Sequence, residues 1–335
     1  MSYKNIYILG VGGSGMSSIA KYLKQKGENI IGYDQRKSYV TNLLNQDGIK
    51  VVHTLDEITY KPDSIYIYSS AIPIESERYE DFYDKDNVIS RPEYLKNLSE
   101  NYKIIGITGT HGKTSTTALL SHIFHFNNLN VSYLFGGITT FNGIGGHYGD
   151  PDQPLILETD EAFNTFEKIK ISDLLVLNVD SDHLDYYKNL ENYKDAFYKV
   201  MKNVTDNLVV NNDDLNIKSM EELKNSVSYG KDISADFQVK SPGNFIYENN
   251  KYEIKSDIIG DHFKSNMLGA VILALLNGIE IKDCLNAIES FAGVKRRVEL
   301  IGISKGVLIY DDYGHHPTEM EATITALKQQ TESKL

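Results

Sequence analysis

The stretch Gly109-Thr110-His111-Gly112-Lys113-Thr114-Ser115 combines the parts of a phosphate-binding loop. Glycines let backbone amides turn toward phosphate oxygens, and a helix that starts here adds the positive end of its dipole. Lys113 supplies charge for the β- and γ-phosphates, and the Thr114 hydroxyl suits Mg²⁺. The interval is G-x-x-G-K-T, because Ile107 stands where the common phosphate loop has its first glycine. A second cluster, Gly10-Val11-Gly12-Gly13-Ser14-Gly15, fits G-x-G-x-x-G behind an apolar run, and Asp34 closes the next apolar run. That layout accommodates a diphosphate, whether of a nicotinamide dinucleotide or of another nucleotide.

Two acidic stretches offer oxygen ligands for a hard cation. They are Leu157-Glu158-Thr159-Asp160-Glu161 and Asn178-Val179-Asp180-Ser181-Asp182-His183-Leu184-Asp185. Each alone reads as a solvated loop; beside a phosphate loop they suit Mg²⁺ bound to ATP. His315-His316 sit near Asp311, Asp312 and Tyr313. Adjacent histidines on a turn point in different directions, so this turn is not expected to form a closed zinc site. Arg296-Arg297 is either a surface pair or a fork for phosphate or carboxylate. His122 and His125 are expected to be structural, as is Cys284, the single cysteine, which excludes an internal disulfide.

The elements that must position these residues alternate between strand and helix. Apolar runs at Asn5–Gly10, Asn29–Tyr33, Ser64–Tyr68 and Lys103–Ile107 read as buried strands, with helical spacing over Met16–Lys26 and from the phosphate loop to about Phe126. Strands follow at Leu155–Glu158, Leu174–Val179 and Leu208–Asn211. Residues 232–259 suggest a small antiparallel excursion. Helices are expected at Asn266–Leu276 and Lys282–Phe291, then a strand at Val307–Tyr310 and a helix from Pro317. At about 150 residues per domain, 335 residues hold two domains with some over. We divide the chain at 1–99, 100–300 and 301–335, the last reading as the start of a third α/β unit that this chain does not complete.

A 41% hydrophobic and 24% charged composition is that of a compact globular protein, and the net charge of −12 argues against non-specific nucleic-acid binding. No run approaches the ~20 apolar residues of a membrane helix, and the N-terminus lacks a signal-peptide layout, so a cytoplasmic protein is expected.

In this order the motifs resemble the Mur ligase family. The resemblance rests on Gly10 to Met16, Ser69-Ser70-Ala71-Ile72, Gly109 to Thr117, Asp182-His183-Leu184-Asp185, Gly293-Val294-Lys295-Arg296-Arg297 and Asp311-Asp312-Tyr313-Gly314-His315-His316-Pro317. It implies a Rossmann-like N-terminal domain, a central P-loop ATPase-like α/β domain and the start of a third, Rossmann-like domain. The first would bind the UDP part of UDP-N-acetylmuramate, with Gly12, Gly13, Ser14, Gly15 and Met16 at the diphosphate and Asp34, Ser69 and Ser70 at the uridine. This displaces the nicotinamide reading. In the second, Lys113 and Thr114 would grip ATP, Glu158 and His183 would join Thr114 around Mg²⁺, Asn266 would lie near the adenine, and Arg297 would belong to the ATP site. The implied reaction joins L-alanine to the lactyl carboxylate through an acyl phosphate in peptidoglycan precursor synthesis. The alternatives are a ligase recycling a murein tripeptide onto the same UDP-sugar and a nucleotide-binding chain without ligase activity. Two positions depart from the pattern: Phe263 replaces a second asparagine, and Ala162-Phe163 replace Ser-Asp.

Overall fold

The structure, a computed structural model, describes residues 3–182, 184–220 and 226–330. The chain opens with β1 (Ile6–Leu9), α1 (Ser14–Gln25), β2 (Ile30–Tyr33), α2 (Tyr39–Gln46), β3 (Lys50–Val52), β4 (Ile65–Tyr68), β5 (Val88–Ser90) and α3 (Arg91–Ser99). The five strands form a parallel sheet in the order β3-β2-β1-β4-β5. All four residues of β1 are buried, the continuous apolar run expected of a strand covered on both faces. The strand order reverses beside β1, so the glycine loop that leaves it opens at the sheet's switch point. The short α2 is set by a capping box between Ser38 and Thr41.

The next body contains β6 (Ile104–Thr108), α4 (Lys113–Phe126), β7 (Ser132–Thr139), β8 (Gly143–His147), β9 (Leu155–Glu158), β10 (Asp173–Val176), α5 (Leu184–Tyr187) and α6 (Leu190–Lys202). It continues through β11 (Asn207–Asn211), α7 (Leu215–Lys218), β12 (Ser226–Gly230), β13 (Phe237–Ser241), β14 (Asn244–Tyr247), β15 (Asn250–Glu253), α8 (Asp261–Leu276) and α9 (Ile281–Glu289). Its ten strands make one sheet in the order β15-β14-β13-β12-β11-β10-β6-β9-β7-β8. The phosphate loop leaves β6, flanked by β10 and β9, again where the order reverses. The antiparallel excursion exists as β13–β15, and it extends this sheet rather than standing apart. α8 starts at Asp261, ahead of the expected Asn266, and its buried run from Asn266 to Ala274 packs on α4. The chain then forms an antiparallel hairpin of β16 (Glu299–Ser304) and β17 (Val307–Asp311), followed by α10 (Pro317–Gln330).

The hairpin β7–β8 joins the first two bodies. Ile8 and Ile19 share a core with Leu134, Ile144 and Leu157, because α1 packs against both β7 and β8. At Gly146 a Cβ would run into the Ser18 carbonyl of α1, so only glycine lets helix and strand approach this closely. Buried Lys21 of α1 donates to the carbonyl oxygens of Asn142 and, at 3.3 Å, Ile144. Burial pulls its pKa down, partly offset by Asp47. The glycines that permit this contact also erase the apolar alternation that would mark β7 and β8 as strands.

Among the described residues, no helix is long and apolar enough to cross a membrane. Substituting Gly146→Ala should cost about 1–3 kcal/mol through overpacking and lower the melting temperature by a few degrees. Gly302→Ala, where an added Cβ meets nothing within 4 Å, should leave it unchanged. Equal melting temperatures in a calorimetric scan would show that the α1–β8 contact is not tight.

Candidate nucleotide and metal site

The phosphate loop spans the turn from β6 into α4. Gly112 caps the helix with φ 84°, a left-handed conformation that favours glycine, and a Cβ there would strike the Asn266 side-chain amide. The loop is clipped to the exit of β10: the His111 N–H donates to Asn178 Oδ1 at 2.8 Å, Asn178 Nδ2 donates to the His111 carbonyl at 3.0 Å, and the Thr110 N–H donates to the Asn178 carbonyl at 3.1 Å. Thr110 is buried and its hydroxyl lies 3.0 Å from the Tyr193 hydroxyl.

Lys113 curls back into the loop. Its Nζ donates to the carbonyls of Gly109 at 2.6 Å and Thr110 at 3.1 Å, and to Glu161 Oε1 at 2.9 Å. Burial pulls the lysine pKa down, but the charges of Glu161, Asp160 and Glu158 outweigh it and hold the amine protonated. Burial likewise pushes the Glu161 carboxyl up by more than Lys113 pulls it down. Removing one partner of such a buried pair leaves an uncompensated charge, so the two residues are coupled. The sequence marked Glu161 only as part of an acidic stretch; its place as the counter-charge of Lys113 depends on packing.

Glu158, at the end of β9, is held on both oxygens. Thr114 Oγ1 donates to Oε1 at 2.8 Å, and the Gly136 N–H of β7 donates to Oε2 at 2.5 Å. A hydroxyl and a carboxylate side by side form a hard oxygen donor set that fits Mg²⁺. His183, the third expected ligand, lies outside the described residues.

Three clefts open along this edge. One of about 470 Å³ lies between the loop and the start of α8, lined by Ser115, Asn266, Phe263 and Arg297 among others. A second, of about 240 Å³, is lined by Lys113, Thr114, Glu158, Arg297 and His316. The third, of about 280 Å³, lies at the start of α1, with Gly13, Ser14, Gly15, Met16, Ser69 and Ser70 on one wall and Ala162 on the other. Gly12 and Asp34 brace its glycine turn, the Gly12 N–H donating to Asp34 Oδ2 at 2.9 Å. Glu158 and Asp160 line both the second and third clefts. Arg91, which the sequence reading passed over, also lines the third, its guanidinium beside Gly15 and Nη1 at 4.0 Å from Asp160 Oδ2. A lone arginine opening a helix carries no signal of that role.

His122 and His125 are structural, as expected. His122 Nε2 lies 3.1 Å from the Ala287 carbonyl and His125 Nε2 lies 3.0 Å from the Val131 carbonyl. Cys284 is buried in the core. Of the last two histidines, His316 turns toward the phosphate loop, its Nε2 3.2 Å from the Ser181 carbonyl, while His315 stays exposed beside Tyr313. The guanidinium of Arg297 lies 5.3 Å from the Tyr313 ring centroid.

A Rossmann-like unit beside a P-loop α/β unit, with both loops opening on one carboxylate edge, places the chain in the α/β class of nucleotide-site enzymes. Family models match residues 5–103 (Mur ligase family, catalytic domain), 107–274 (Mur ligase middle domain) and 296–335 (Mur ligase, glutamate ligase domain). The chain belongs to the Mur ligase family. It is 35% identical to a UDP-N-acetylmuramate–L-alanine ligase of Clostridium botulinum, over 99% of this chain and 76% of that protein. The solved UDP-N-acetylmuramate-alanine ligase of Thermotoga maritima superposes with TM-score 0.84 at 26% identity, covering 98% of this chain and 79% of that one. A murein peptide ligase of Psychrobacter arcticus shares the fold with TM-score 0.78 at 22% identity, over 99% of this chain and 77% of that one.

The segment after β17 is pinned to the loop by His111, whose Nδ1 lies 3.2 Å from Glu319 Oε1 and whose Nε2 lies 3.1 Å from Asp180 Oδ2. Burial lowers the His111 pKa, but its bonds to Glu319 and Asp180 more than reverse this, and the net shift is upward. Burial raises Glu319, yet the hydrogen bond and charge of His111 take it down to about 2. The carboxylate's contribution is present above its ordinary 4.5 and lost as pH falls toward 2; the histidine's is present below its ordinary 6.5 and lost as pH rises through its raised value. Docking of α10 should therefore be tightest between about pH 4.5 and 6.5 and loosen toward alkaline pH. A dye on Glu321→Cys, selective because Cys284 is buried, reports this as falling anisotropy at high pH. A pH profile that His111→Gln leaves unchanged would refute it.

Proposed function

We propose that this protein is an ATP-dependent ligase that joins L-alanine to the lactyl carboxylate of UDP-N-acetylmuramate, releasing ADP and phosphate, in peptidoglycan precursor synthesis. The carrying observation is the shared edge: Glu158 and Asp160 line both the cleft over Lys113 and Thr114 and the cleft at the start of α1. A diphosphate at the start of α1 and a triphosphate on the loop would then face the same two carboxylates. The name carried by the relatives supplies the two substrates.

In this reading residues 1–99 take the UDP-sugar, with Gly12 to Met16 at the diphosphate and Asp34, Ser69 and Ser70 toward the uridine. Residues 100–300 take ATP, with Gly109 to Ser115 around the triphosphate and Asn266 and Arg297 on the nucleoside side. Residues 301–335 bring His316 and Glu319 against the loop. Thr114 and Glu158, with His183, would hold Mg²⁺, which supplies charge neutralisation and Lewis acidity at the transferring phosphoryl group.

A carboxylate does not acylate an amine in water, because its leaving group is an oxide. The lactyl carboxylate oxygen attacks the γ-phosphorus in line; that O–P bond forms as the bond to the bridging oxygen breaks, and ADP leaves. Lys113, kept protonated by Glu161, places positive charge beside oxygens that would otherwise repel the incoming carboxylate, an electrostatic contribution of the largest kind. The neutral amine of L-alanine then attacks the acyl carbon, phosphate departs with the electron pair of the C–O bond, and the proton lost from nitrogen ends on the departing phosphate. Both steps need water kept away from the acyl phosphate, a task suited to the His111–Glu319 contact over the loop.

Phosphate release should require UDP-N-acetylmuramate and L-alanine together. Release with neither pair nor single substrate would end the proposal, and release only when a murein tripeptide replaces L-alanine would reassign the acceptor. Thermal stabilisation by ATP and UDP-sugar without turnover would make the chain a nucleotide binder. Lys113→Ala should lower turnover by roughly 10³-fold or more while leaving UDP-sugar affinity within about twofold, because the two clefts use different loops. A comparable loss of UDP-sugar binding would show that the clefts are not separate.

A further inference from the structure

Apart from the Thr114–Glu158 oxygens, three metal-ligating side chains from distant stretches meet where the phosphate loop touches the start of α10. His111, Asp180 and His316 each offer one ligand atom, and these atoms all lie within 4.8 Å of one another. His111 Nε2 is 3.1 Å and His316 Nδ1 is 4.0 Å from the same carboxylate oxygen, Asp180 Oδ2. The two rings lie with centroids 4.8 Å apart and planes tilted by 41°.

The other nitrogen of each ring is already engaged. His111 Nδ1 lies 3.2 Å from Glu319 Oε1, and His316 Nε2 lies 3.2 Å from the Ser181 carbonyl. A ring N–H donating to a carboxylate or carbonyl fixes the tautomer and turns the opposite lone pair toward a metal, the outer-shell arrangement that recurs at histidine-ligated sites. Glu319 is oriented in turn by the His315 N–H, 3.3 Å from its other oxygen. Asp180 Oδ1 accepts from the Ser181 N–H at 2.7 Å. Thr318 now donates to the inward atoms, its hydroxyl to Asp180 Oδ2 at 2.8 Å and its N–H to His316 Nδ1 at 3.3 Å. Coordination replaces these two bonds and the His111 Nε2–Asp180 Oδ2 hydrogen bond. Side-chain exposures of 16%, 36% and 22% for His111, Asp180 and His316 leave a path for an ion.

We propose that His111, Asp180 and His316 form a second metal site, for a zinc-class divalent ion, that fastens the phosphate loop to the start of α10. Two imidazoles and one carboxylate suit Zn²⁺ or Co²⁺, with water or substrate completing the shell, whereas Mg²⁺ and Ca²⁺ favour oxygen donors. The adjacent histidines do diverge, as a turn requires; the remaining ligands, His111 and Asp180, come from the loops that follow β6 and β10, 205 and 136 residues away from His316 in the chain. The ion would hold this segment down, independently of which amino acid the protein ligates.

Co²⁺ is the probe, titrated into the metal-free full chain in excess Mg²⁺ so that the oxygen site is saturated. One equivalent should produce the intense visible bands of a four- or five-coordinate ion, and Zn²⁺ should abolish them. His316→Ala and His111→Ala should remove the bands, Glu319→Gln should weaken binding by about 10- to 100-fold through loss of the outer-shell carboxylate, and Glu158→Gln and His183→Ala should leave them intact. Zn²⁺ should also raise the melting temperature of the unsubstituted protein, a readout that needs no variant to fold. Bands that survive His316→Ala, bands lost in Glu158→Gln, or no Mg²⁺-resistant Co²⁺ binding would overturn the assignment.

Discussion

The carboxylate of Glu158 is the point against which the reactive edge is registered. Its two oxygens accept from Thr114 on the phosphate loop and from the Gly136 N–H on β7, so one side chain ties the exits of β6, β7 and β9. Parallel pairing puts those exits on one side of the sheet. The same hairpin carries α1, whose first turn forms the other cleft. A shift of Glu158 would therefore move the phosphate loop and the glycine turn of the first sheet relative to each other.

Beneath that edge lies a second constraint, the burial of charge. Lys113 is surrounded by two loop carbonyls and Glu161, with Tyr193 donating to the same carboxylate at 3.2 Å. The arrangement is costly to desolvate and more costly to break, which makes it a device for holding one loop shape rather than a source of net stability. Lys21 follows a related logic in the first body: a buried amine held by carbonyls of the β7–β8 turn fixes α1 against its neighbour. Both lysines donate to two backbone carbonyls, Lys113 adding the Glu161 carboxylate, and both sit where two segments must keep a fixed spacing.

The clip from His111 to Glu319 and Asp180 extends the edge to the third segment. The β16–β17 hairpin leaves Ile301, Ile303 and Val307 largely exposed, so its attachment to the larger body depends strongly on polar contacts of this kind. One isolated bridge, Thr139 to Val294, leads the chain toward that contact from the β7–β8 hairpin.

Local sequence determined the strand-loop-helix units at both glycine loops, the buried character of β1 and β6, and the oxygen-rich ends of β9 and β10, because continuous apolar runs and glycine spacing act over a few residues. It also determined that His315 and His316 diverge. It did not disclose β7 and β8, whose glycines answer to the approach of α1 rather than to strand propensity. Tertiary structure decided that Glu161 rather than Asp160 hydrogen-bonds Lys113, that Arg91 reaches the glycine turn at the start of α1, and that His316 meets His111. Those pairings lie 48, 76 and 205 residues apart in sequence, and no short-range pattern encodes a distance that is set only when two sheets and a hairpin close on one another.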